Sequence, residues 1–123
     1  MIKKMTIAEL IKNCKHFELH LTHYVEVFSE GDAFNTIVPM IRGSREIVRE
    51  LEKVKASAYM DEEAFQSLRS VCEQAEQITY LLEILKRVNE EVFQYVVKEG
   101  HELMRICGKL YNTVLHKKIS IKR

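Results

Sequence analysis

Tryptophan is absent from this 123-residue chain, proline occurs once, at Pro39, and glycine occurs four times. So few breakers exclude frequent turns and leave most of the chain free to run as helix. No stretch approaches the roughly 18 consecutive apolar residues that a spanning helix requires, which excludes a membrane-spanning helix. The net charge is only +1, so no global field draws the chain to nucleic acid or to a membrane surface. Three cysteines cannot all pair with one another, which favours a reducing compartment. The start, Met1-Ile2-Lys3-Lys4-Met5, is basic, but Glu9, Lys12 and Lys15 interrupt the residues after it, so no secretory signal is expected there and the chain is read as cytoplasmic. Phosphate-cradling glycine loops, a nucleophile elbow and Cys-x-x-Cys are all missing. With so few loops there is little place to build a catalytic pocket. The chain is therefore expected not to be an enzyme and to carry no cofactor.

Four apolar stripes of helical period are present, over Thr6–Ser29, Asp32–Ala58, Asp61–Val88 and Glu90–Lys117. Four amphipathic helices joined by short turns bury their stripes only against one another, so residues 1–123 are expected to form one all-α domain, an antiparallel up-and-down four-helix bundle. The first stripe reads Ile7, Leu10, Cys14, Phe17, Leu21, Tyr24/Val25 and Phe28, behind a Thr6…Glu9 capping box. The second reads Phe34, Ile37, Ile41, Ser44, Val48, Leu51 and Val54. Asp32 is its expected N-cap, or the start slips to Asn35 or Thr36 so that Pro39 falls in the first turn. Asp61 caps the third, which reads Phe65, Leu68, Cys72, Ala75, Ile78, Leu82 and Leu85. Between the third and fourth the break is placed at Asn89, with Gly100 as the rival position. The fourth then reads Val92, Val96, Leu103, Ile106/Cys107, Leu110 and Val114, with Gly100 and Gly108 expected to admit a close helix neighbour.

Three groups of residues carry potential chemistry. His16, His20 and His23, at i, i+4 and i+7, share one flank of helix one. That spacing suits a shared metal or a haem edge, or a flank buried in a subunit contact. Cys14, Cys72 and Cys107 fall in about one layer of an up-and-down bundle, by the 1.5 Å rise per residue, and read either as a soft-metal set or as small buried apolar residues. Arg42, Arg45, Arg49 and Lys53 form a row on the outer side of helix two. Guanidinium rows suit phosphate; the plainer reading is a solvated face with intrahelical ion pairs such as Arg42–Glu46. An even number of antiparallel helices also gathers Lys3, Lys4, Lys117, Lys118, Lys122 and Arg123 at one pole.

The segment Cys107-Gly108-Lys109-Leu110-Tyr111-Asn112-Thr113-Val114-Leu115 resembles the last-helix pattern of a small bacterial four-helix-bundle family, where a Gly-Arg/Lys-aliphatic run closes the fourth helix. Its members include proteins encoded in ribosomal RNA intervening sequences, and the accessory proteins of diversity-generating retroelements are relatives. Ala64-Phe65, Glu76, Leu82 and Lys86-Arg87-Val88-Asn89 are similar to its third helix and the turn that ends it, and Met40-Ile41-Arg42 resembles its Gln-Ile-Arg-Arg run. Beyond Arg42 the chain departs, with Val48-Arg49-Glu50-Leu51-Glu52 in place of Asn-Ile-Ala-Glu-Gly. The resemblance implies a non-enzymatic bundle that assembles as a ring, often a pentamer. In the retroelement branch it implies one that binds a reverse transcriptase and nucleic acid through basic surfaces; Arg42, Arg45 and Arg49 hold that role by position. The leading expectation is thus a homo-oligomeric interaction module meeting nucleic acid, or an enzyme that works on it, through the basic face of helix two. The alternative is a metal- or haem-binding bundle built on His16, His20 and His23.

Overall fold

A computed structural model describes residues 6–57 and 59–121, with side chains as far as Val114. Its helices are α1 (Ile7–Val27), α2 (Asp32–Ala56), α3 (Glu62–Val88) and α4 (Glu90–Ile121), and no strand occurs among the described residues. Each packs along its length on the next in sequence, while α1 and α4 close the bundle through a much thinner contact. Tyr24, late in α1, meets Phe93, early in α4, and Cys14, early in α1, meets Cys107, late in α4, so the two run antiparallel. The fold is the expected all-α four-helix bundle. None of the described helices is long and apolar enough to cross a membrane. The expected basic pole of Lys3, Lys4, Lys117, Lys118, Lys122 and Arg123 lies outside the described side chains.

Local chemistry sets the helix starts. Thr6 Oγ1 accepts from Glu9 N at 3.1 Å, Asp61 Oδ1 accepts from Ala64 N at 2.9 Å, and Asn89 Oδ1 accepts from Val92 N at 3.1 Å. The break therefore falls at Asn89, and Gly100 lies inside α4. At α2 the expectation needs correction. Gly31, with φ +92°, takes the cap position and Asp32 becomes the first helical residue, where its charge still favours the N-terminus. The start does not slip past Asp32 to spare Pro39. The helix runs through Pro39, whose exposed position confines the damage to one missing hydrogen bond on the solvent side.

Phe17, Leu21, Ile37, Met40, Ile47, Leu51, Leu68, Ile78, Leu82, Leu85 and Phe93 fill the core. Three of these, Met40, Ile47 and Phe93, are missing from the sequence stripes, and Val92, assigned to the core, is 37% exposed. Adjacent helical residues differ by about 100° around the axis, so the bulkier Phe93 turns inward and swings Val92 onto the α1 flank. Gly100 lies against Leu82 and Phe17: a Cβ there would fall 2.7 Å from Leu82 Cδ1 and 2.9 Å from Phe17 Cε1. The expected close approach therefore holds at Gly100. It fails at Gly108, where a Cβ would meet nothing within 4 Å.

Candidate interaction surface

The basic row of α2 is accompanied by carboxylates. Arg45 Nε lies 3.2 Å from Glu18 Oε2 of α1, Arg49 pairs with Glu46, and Lys53 Nζ lies 3.2 Å from Glu50 Oε1. Glu46 thus pairs with Arg49 rather than with Arg42. Arg42 is exposed, with no carboxylate of the described residues within ion-pair distance. These cations share one side of α2, but three of the four face a neighbouring negative charge.

Glu50 turns from this row toward α3 and is nearly buried. Burial works to raise the pKa of its carboxyl. Hydrogen bonds from Ser67 and Lys53, with the charges of Lys53 and Arg49, outweigh that and hold it below the usual range. Glu50 therefore fastens α2 to α3 as a carboxylate.

The cysteines do not form one set. Cys14 and Cys107 are fully buried and face each other across α1 and α4, and the neighbouring Cys14 thiol, with burial, pushes the Cys107 pKa upward. Cys72 sits apart at the α3–α4 contact, its thiol donating to the Gly108 carbonyl oxygen at 3.5 Å. Burial, then Glu76 and Glu73, raise its pKa too. Among the described residues no three His, Cys, Asp or Glu side chains converge as metal ligands, so neither the thiol layer nor the histidine flank is a complete site within one chain.

The thin α1–α4 contact leaves an open groove of about 440 Å³, lined by His20, His23, Tyr24, Tyr95, Val96 and Glu99. Its floor is held by aromatic contacts: Tyr24 meets Phe93 edge-on at 5.0 Å between ring centroids, and Phe28 meets the same ring at 5.4 Å. Tyr24 Oη donates to the Val92 carbonyl oxygen at 3.1 Å. Across the groove His20 Nδ1 lies 2.8 Å from Glu99 Oε1. Of its lining Tyr95 is 78% exposed, and Val27, one turn beyond His23 at the end of α1, is 73% exposed. The histidines thus lie on the flank that the sequence indicates. The Glu99 partner of His20, 79 residues away, carried no local signal, and Tyr95 and Val92 went unrecognised as surface residues.

The molecule is an α-helical bundle with three closely packed helix seams and a thinner fourth, between α1 and α4. Compared with models of protein families, with curated proteins and with solved structures, the chain finds no match. The resemblance carried by α3 and α4 is neither supported nor opposed by these comparisons.

Proposed function

We propose that this chain works by assembly rather than by catalysis, as a homo-oligomeric helical module whose copies meet through the α1–α4 seam. One observation carries the reading: Val27 of α1 and Val92 and Tyr95 of α4 are exposed on the two helices that flank the most thinly packed seam. Clustered apolar side chains with tyrosine mark association surfaces. A second copy suits this strip because it holds both kinds of polar partner, imidazoles on α1 and the Glu99 carboxylate on α4, beside apolar surface. A surface of mixed character can complement itself across a two-fold axis; a nucleic-acid surface calls for a net positive face, which the Glu99 carboxylate works against. The α2 row serves in this reading mainly as a set of local ion pairs. The area fits as well: α1 is 21 residues long, about 30 Å, and two helices are about 20 Å wide, which gives on the order of 1,200 Å² over both partners, the lower edge of stable interfaces.

The test is the double variant Val27→Glu/Tyr95→Glu. Both positions are exposed, so the helical circular dichroism is expected to stay unchanged while the associated form is lost and the mass falls to one chain. An unaltered oligomer would place the contact elsewhere on the bundle.

A further inference from the structure

On the exposed flank of α1, His16 and His20 stand one turn apart, and His20 lines the groove with its Nδ1 2.8 Å from Glu99 Oε1. We propose that His16 and His20 of α1, with Glu99 of α4 positioning His20, form half of a zinc-class metal site that a second copy of this chain completes. The inference rests on the self-association reading above and deepens it.

Residues at i and i+4 on a helix are neighbours, and two imidazoles at that spacing can bind one metal ion. Both His16 and His20 are exposed. His20 is further prepared. A carboxylate accepts hydrogen bonds, so in the neutral imidazole the 2.8 Å contact to Glu99 Oε1 sets the proton on Nδ1 and the lone pair on Nε2. A carboxylate behind the imidazole in this way fixes the tautomer and orientation of metal-binding histidines. One turn further on, His23 Nδ1 lies 3.7 Å from Glu26 Oε2, a looser version of the same relation at the groove rim.

The chain by itself stops short of a full site. Among the described residues no third ligand converges with these two. Zinc in a closed site takes four ligands in a tetrahedron. A two-fold axis beside His16 and His20 doubles two imidazoles to four, and the same axis buries the apolar strip of both copies. Nitrogen ligands select zinc and its transition-metal neighbours over magnesium and calcium, which take oxygen. The bridge also has a physical purpose. The contact area is at the small end for a stable interface, and an ion shared between copies adds affinity that the area lacks.

The experiment is sedimentation equilibrium of the full chain, with chelator or with zinc chloride alone, beside a count of bound zinc. Expected are one zinc per two chains and dimerisation at least about tenfold tighter with zinc than with chelator. His16→Ala and His20→Ala are expected to abolish the zinc effect while retaining helicity. Glu99→Gln, a change to a positioning residue, is expected to weaken zinc binding about 10–100-fold with its stoichiometry kept. Association that is equal with zinc and with chelator overturns the metal bridge and leaves the self-association reading standing. One zinc per chain without dimerisation overturns it as well. A monomer under every condition, at every concentration, overturns both.

Discussion

At the scale of single residues, the two glycines within α4 separate packing from propensity. Alanine is the better helix former by about 1 kcal/mol at either position. At Gly108 a Cβ enters open space, so Gly108→Ala is expected to stabilise the chain by about 0.5–1 kcal/mol. At Gly100 the Cβ drives into Leu82 and Phe17, both fully buried, and overpacking typically costs about 1–3 kcal/mol. Gly100→Ala is therefore expected to destabilise, and opposite shifts of the denaturation midpoint for the two variants check the assignment. Glu50 gives a second residue-scale expectation. Its folded-state pKa is depressed, so its contribution is present above the ordinary carboxyl value of 4.5 and is lost as pH falls through the lower folded value. Glu50→Gln is expected to cost about 1 kcal/mol at pH 7. Urea titrations from neutral to acid pH should show the gap between wild type and variant narrowing below about pH 4.5.

At the scale of helices, Pro39 is the evident defect. It sits exposed in the body of α2 and forfeits a hydrogen bond. Pro39→Ala is expected to raise stability by about 1–3 kcal/mol, read from the thermal midpoint, because the position is exposed and alanine restores the missing N–H donor. Where the helices begin was largely legible in the sequence, since capping is local chemistry: Thr6, Asp61 and Asn89 each accept the backbone N–H three residues ahead. The face each helix buries was less legible. Val92 and Phe93 both fit an apolar stripe, and the choice between them is made by Tyr24 and Phe28, which pack on the Phe93 ring from the far end of α1. The candidate site was legible only in half. The histidine spacing on α1 is visible in the sequence, but the Glu99 carboxylate that orients His20 is brought there by the antiparallel return of α4. Likewise the α2 cations read as a uniform row until folding brings Glu18 of α1 against Arg45.

At the scale of the whole molecule, three helix seams are closed by apolar packing and the fourth is bridged by an aromatic cluster, a thiol pair and one imidazole–carboxylate contact. A second copy laid on that seam would bury Val27, Val92 and Tyr95 and complete what the single chain leaves open. Self-association through this seam is the central claim, and metal is a refinement of it. Its most direct test is the mass of the unmodified chain in solution with chelator present, followed over a wide concentration range. The predicted result is a rise from one chain toward two as concentration increases, with the rise abolished by Val27→Glu/Tyr95→Glu. A mass of one chain throughout the range, with zinc as well as with chelator, would contradict the account.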